Sequence, residues 1–261
     1  MFASSSQSLL EVRDLTVAFG PRVIQHNLSF PVRQGSIFAL MGGSGCGKST
    51  VLKAMVGLLH PAAGTVLVNG EDYWGAAAER RAEIGRGFGV LFQSGALWSS
   101  MTVAENVALP LQMFTRLSPE AIGVLVNLKL ALVGMAGSAG LMPSELSGGM
   151  RKRAALARAL ALDPRVLFFD EPSAGLDPIT SQRLDELILE LRAGLGATIV
   201  LVSHELPSLF AICDDGVFLD AQSRTAIAHG SPRKLRDECD NPTVRAFMQR
   251  GRQSARGRTA S

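Results

Sequence analysis

Three short stretches carry residue types that could act together on a phosphate. The first is Gly42-Gly43-Ser44-Gly45-Cys46-Gly47-Lys48-Ser49-Thr50, which fits G-x-x-x-x-G-K-[ST]. Its glycines let a loop wrap closely around phosphates with the backbone N–H groups pointing inward. A helix opening at Lys48 would add partial positive charge. Lys48 could then reach the β- and γ-phosphates, and Ser49 could ligate Mg²⁺. A bare Gly-rich turn with a solvent-facing lysine is the plainer alternative, and an apolar strand before the loop argues against it. The second stretch is Val166-Leu167-Phe168-Phe169-Asp170-Glu171, an apolar run that delivers two acids at its C-terminal end, where open α/β sheets bind ligands. Asp170 suits a Mg²⁺ ion held through water, and Glu171 suits polarising an attacking water. The third is Leu146-Ser147-Gly148-Gly149-Met150 before a helical run, a second anion-binding helix start. One chain needs one phosphate loop per nucleotide. A second anion site therefore suggests service to a nucleotide held by another copy, against the simpler reading of a Ser-capped helix.

These stretches need a scaffold. Short β-rich runs come first, at 9–17, 23–32 and 36–41. A helical pattern spans 48–58, and a strand at 66–68 precedes Asn69-Gly70, a hairpin signal. A short apolar strand covers 89–92, and the pattern from 99 to 162 is helical. Ser118-Pro119-Glu120 is a strong helix start, with Ser at N-cap and Pro at N1. After Asp163-Pro164, strands at 166–169, 198–202 and 217–219 alternate with helices at 181–193 and 207–213. Continuous apolar strands alternating with helices imply a parallel sheet covered on both faces.

The 261 residues are 47% hydrophobic and only 19% charged, with a mean hydropathy of +0.21. This excludes a disordered chain, which needs low hydrophobicity and high net charge. The longest apolar runs, 37–41 and 209–213, are five residues long, far below the roughly 18 a spanning helix needs. The segment 121–142 is apolar but carries Lys129 near its middle, and reads as a buried amphipathic helix followed by a Gly-rich loop. No signal peptide is visible at the N-terminus. Cys46, Cys213 and Cys239 are odd in number and widely spaced, which fits a reducing compartment. The net charge of +3 is uneven: Arg245, Arg250, Arg252, Arg256 and Arg258 lie in the last 21 residues, which hold no acid, and the rest of the chain carries −2. A basic nucleic-acid face on the body is therefore not expected. Residues 250–261 read as an irregular Arg-rich tail.

Taken together, the motifs resemble the nucleotide-binding subunit of ABC transporters over roughly residues 9–235. The resemblance implies a P-loop NTPase of the α/β class: a RecA-like core with a mostly parallel sheet, an antiparallel β subdomain and an α-helical subdomain at about 95–162, with 236–261 as an extension. It implies ATP and Mg²⁺, with Lys48, Gln93, Glu171 and His204 catalytic and Ser49, Gln93 and Asp170 around the metal. Phe19 matches the aromatic that stacks on adenine, where the family usually has Tyr. Gln93 matches the glutamine that touches Mg²⁺ and water and senses the permease. Asp177, ending Ser173-Ala174-Gly175-Leu176-Asp177, matches a residue that communicates across the dimer. His204 in Val-Ser-His-Glu matches the switch histidine at the γ-phosphate. Leu146 to Met150 match the signature that faces the partner's ATP, although Met150 departs from the usual Gln.

A narrower likeness lies in Leu91-Phe92-Gln93-Ser94-Gly95-Ala96-Leu97, in the stretch 141–150, in Arg153 to Ala159 and in Ile227-Ala228-His229-Gly230. These are similar to the ATPases of Mla/Mce-type lipid transport systems. That implies a homodimer on the cytoplasmic face of the inner membrane, with an integral permease, an Mce-domain protein and a small regulatory subunit, moving phospholipid or a related lipid. Two readings stay beside it: an ABC ATPase energising a different small-molecule transporter, and a soluble ABC-type ATPase outside transport. A small-molecule kinase would leave Leu146 to Met150 without a role.

Overall fold

Strand β3 (Ile37–Met41) consists of five buried apolar residues, and its side chains divide between two cores. Ile37, Ala39 and Met41 enter one; Phe38 and Leu40 enter the other. Strands β7 (Val166–Asp170) and β8 (Thr198–Val202) divide in the same alternating way. A strand buried on both faces belongs in the middle layer of a three-layered molecule. In this computed structural model, which describes residues 8–256, that layer is a six-stranded sheet. With β6 (Phe88–Leu91), β9 (Asp215–Leu219) and β10 (Ala226–His229), its order is β10-β9-β3-β8-β7-β6. Every pairing is parallel except β9 with β10.

The second core lies between this sheet and an antiparallel one, built from β1 (Ser8–Phe19), β2 (Arg22–Arg33), β4 (Ala63–Val68) and β5 (Glu71–Asp72) in the order β2-β1-β4-β5. Helix α1 (Lys48–Met55) packs into the same core through Val51, Leu52, Ala54 and Met55. Asn69 and Gly70, both with positive φ, make the tight turn from β4 to β5. A two-residue turn of this kind matches the twist of the strands it joins. The short helix α2 (Ala78–Gly85) follows and buries none of its residues.

The first core carries the helices. Helices α3 (Val103–Phe114), α4 (Pro119–Leu132) and α5 (Gly148–Ala159) pack on one another, and α6 (Pro178–Leu195) and α7 (Leu206–Ile212) lie farther along the sheet. Ser118 caps α4 by accepting from the Ala121 amide at 3.3 Å, with Pro119 in its first turn. Only one face of α4 is buried, with Ile122, Val126, Lys129 and Leu130. Val124 and Leu128 are 68% and 51% exposed on the other, the two-sided pattern of an amphipathic helix. Lys129, 3% exposed, is neutralised by an ion pair with Asp163 in the turn before β7.

Helices α8 (Pro232–Glu238) and α9 (Pro242–Arg256) complete the fold. Leu235, Val244, Phe247 and Met248 enter the first core. The irregular tail expected from Arg250 is corrected as well. Buried Val244, Phe247 and Met248 seat α9, and its helical backbone continues to Arg256. Residues 257–261 of that expected tail lie outside the described residues. Among the described residues no helix is long and apolar enough to cross a membrane. The three cysteines are free.

Candidate functional site

The Gly-rich loop runs from the end of β3 into α1, as its sequence demands. Gly42 has φ 143°, and a Cβ there would sit 2.4 Å from the Leu219 carbonyl oxygen. Gly47, the N-cap of α1, has φ 98°, and a Cβ would sit 2.5 Å from Ile24 Cγ2. Both positions require glycine on conformational and steric grounds. The first turn of α1 has no acid, so its positive end is not offset locally. Lys48 is 6% exposed, and its Nζ donates to the Gly42 and Gly43 carbonyls at 3.0 Å each. That fold-back holds the ammonium over the loop.

Residues of this loop line a cleft of about 640 Å³: Gly43, Ser44, Gly45, Gly47, Lys48, Ser49 and Thr50. Gln93 just past β6, Glu171 just past β7 and His204 after β8 line it too, as do Ile24, Leu206 and Phe247. Gly42, Cys46 and Asp170 are not among the residues that line it. Cys46 is buried, which pushes its thiol pKa up despite Lys48 nearby. Asp170 is 7% exposed and accepts a 2.7 Å hydrogen bond from Ser49 Oγ. This bond joins the two strand ends that carry the loop and the acids.

Glu171 is the most constrained of these residues. Its φ is 51°, a conformation that costs a non-glycine residue about 1–3 kcal/mol and persists where surroundings enforce it. The Glu171 amide donates to Val202 O at 2.9 Å, and its carbonyl accepts from the Ala174 amide at 3.2 Å. Its Oε1 lies 2.8 Å from His204 Nδ1. Its Oε2 is buried and has no hydrogen-bond partner among the described residues. Glu171 lines the cleft, and a carboxylate oxygen without a partner is a ready acceptor for a water or ligand proton. His204 itself is exposed.

The signature stretch lies elsewhere. Leu146 is buried, but Ser147 and Gly148 are exposed, and none of Leu146 to Met150 lines the cleft. Ser147 caps α5 by accepting from the Met150 amide at 3.2 Å. Asp177 is likewise outside the cleft and caps α6, accepting from the Ile179 and Thr180 amides at 3.0 Å. Bonds from Thr180, side chain first, hold its carboxyl below the usual range. Phe19 ends β1, is 55% exposed and does not line the cleft.

Two buried polar residues escaped sequence reasoning. Gln25 in β2 donates through Nε2 to Cys46 O (2.7 Å) and Asp220 O (2.9 Å), tying the loop to the end of β9. Lys152 in α5 is 6% exposed and donates to the backbone carbonyls of Gln93 and Glu171. Neither sits in a recognisable motif; a lysine on an otherwise apolar helix face was the only available signal.

The profile of the family described as ABC transporter matches residues 25–174. The chain is 43% identical to the intermembrane phospholipid transport system ATP-binding protein MlaF of Escherichia coli (strain K12), over 94% of this chain and 90% of that protein. Among solved structures, a dimeric post-hydrolysis state of the ATP-binding cassette MJ0796 bound to ADP and Pi matches with TM-score 0.77 and 27% identity, over 84% of this chain and 97% of that one. CbiO1 from Clostridium perfringens, part of the ABC transporter complex cbiONQ, matches with TM-score 0.80 and 25% identity, over 93% and 94%.

Proposed function

The chain belongs to the ABC transporter family and is an ATP-hydrolysing cassette, and on that premise we propose that it drives phospholipid transport between bacterial membranes. The observation that carries the substrate class is the 43% identity to MlaF across nearly the whole of both proteins. The division of labour follows the motifs: residues 9–235 form the ATPase unit, with its helical part at about 95–162, and 236–261 extend it.

The loop amides, the start of α1 and Lys48 bind the β- and γ-phosphates. Phe19 offers its exposed ring to the adenine. Mg²⁺ suits the oxygen donors at hand: Ser49 Oγ lies against Asp170, Gln93 stands at the same cleft, and one or two carboxylates plus substrate phosphates are its usual ligands. When bound, the ion neutralises charge on the phosphates. Glu171 Oε2 accepts a proton of the attacking water, and His204 holds Glu171 through Oε1 while facing the γ-phosphate. Attack on the γ-phosphorus breaks its bond to the bridging oxygen and releases ADP. Lys48 stabilises the charge that develops.

Ser147, Gly148 and Gly149 serve the ATP of a second copy. The exposure of Ser147 and Gly148 and the separation of all three from the chain's own cleft support this, as does the dimeric form of the MJ0796 cassette. Asp177 lies on the same path between copies. The dimer works on the cytoplasmic face of the inner membrane against an integral permease, with an Mce-domain protein and a small regulatory subunit. To test this, the chain is co-expressed with candidate permeases, and the complex that co-purifies is reconstituted in vesicles holding a fluorescent phospholipid. ATP-dependent lipid movement that Lys48→Ala abolishes is the expected result. ATP turnover without any lipid movement would refute the substrate class.

A further inference from the structure

Lys152 is a buried cation with no place in the reaction described above. It projects from the second turn of α5, the helix whose first residues form the signature. Its Nζ donates to the carbonyl oxygens of Gln93 and Glu171, the latter at 3.3 Å. Those two carbonyls belong to residues just past the C-terminal ends of the neighbouring parallel strands β6 and β7. We infer that Lys152 is a positioning residue. It ties α5 to the backbones of Gln93 and Glu171 and so fixes where the Glu171 carboxyl points.

Three observations support the inference. Glu171 adopts a left-handed φ of 51°, so its backbone needs outside support, and Lys152 supplies one of the two donors to its carbonyl. Lys152 is only 6% exposed, so its ammonium is taken out of water. A lysine that only filled space would carry that cost for nothing, since a methionine has a similar length without the charge. Finally, α5 carries the signature at one end and Lys152 one turn later. A shift of α5 when the signature meets the partner's nucleotide therefore displaces two backbone groups of the chain's own site. Lys152 touches no substrate, and its effect passes through Glu171.

The inference rests on Glu171 being the residue that polarises water. The test uses the purified full-length chain, with steady-state ATPase kinetics, binding of a fluorescent ATP analogue and thermal melting on each variant. Lys152→Met is expected to lower kcat at least tenfold, with KM and analogue affinity within threefold of wild type. Lys152→Gln, which keeps an N–H donor without the charge, is expected to recover most of kcat. If methionine lowers the melting point enough to prevent the assay, the comparison of Lys152→Gln with Lys152→Leu decides, with the same split expected. A kcat within twofold of wild type in the donor-free variant overturns the inference. So does a loss of nucleotide affinity proportional to kcat, or a glutamine variant no better than the donor-free one. Glu171→Gln is run alongside: if it hydrolyses ATP normally, the assignment of Glu171 fails. If it is inactive while Lys152→Met is unchanged, only the role of Lys152 fails.

Discussion

At the residue scale, the site is a set of strand-end side chains that hold one another in place. Ser49 and Asp170 are joined directly, and His204 is joined to Glu171. Much of this was legible in sequence. Lys48, Ser49, Gln93, Glu171 and His204 meet at one cleft because each follows an apolar parallel strand, and such strands end on the same edge of a sheet. Gln25 and Lys152 were not legible, because their partners are backbone carbonyls brought near by folding. His204 yields a prediction here. Its loss leaves Glu171 Oε1 without its partner, as Oε2 already is. His204→Ala is therefore expected to lower kcat about 100-fold, the lower end of a typical general acid–base contribution, with ATP affinity changed by no more than threefold. Steady-state kinetics with a parallel binding titration measures both.

At the scale of elements, helix starts and apolar strands were readable, and solvent exposure was not. Ser118-Pro119 marked the start of α4 and its amphipathic character was readable, but not that Val124 and Leu128 form the outward side. Nor could it show that Val244, Phe247 and Met248 seat a terminal helix where the arginines suggested an irregular end. Lys129 shows how an ion pair fixes an element. Its ammonium is buried while Asp163 is 68% exposed, so the two partners are not equivalent. Asp163→Asn, which still tolerates the positive φ of 50° at that site, leaves a buried charge unpaired. It should cost about 1–2 kcal/mol, less than a fully buried pair because the aspartate faces water. Lys129→Met removes both the charge and its need for a partner, and should cost less than Asp163→Asn. Urea denaturation of the two variants orders them; the reverse order would mean that the ion pair stabilises α4 rather than merely satisfying its lysine.

At the scale of the whole molecule, the apolar composition is accounted for by a sheet buried on both faces and by helices that share one core. The uneven charge has a structural counterpart: Arg245, Arg250, Arg252 and Arg256 lie along α9, at the far end of the fold from β1 in sequence. The three-layered order was legible because strands and helices alternate after residue 164. The position of the signature outside the cleft was not, because strand and helix patterns do not say which helix starts face the cleft. One chain holds the phosphate loop and Glu171 at its own cleft, and Ser147 to Gly149 lie outside it; the proposed function assigns them to the ATP of another copy. The most direct measurement is the mass of Glu171→Gln by light scattering, with ATP and Mg²⁺ and without. The account predicts a shift from the 27.7 kDa of one chain to twice that mass, stable over hours and absent when Ser147 is also replaced by Arg. A variant that stays at the mass of one chain with ATP bound, or that hydrolyses ATP at the wild-type rate, would contradict it.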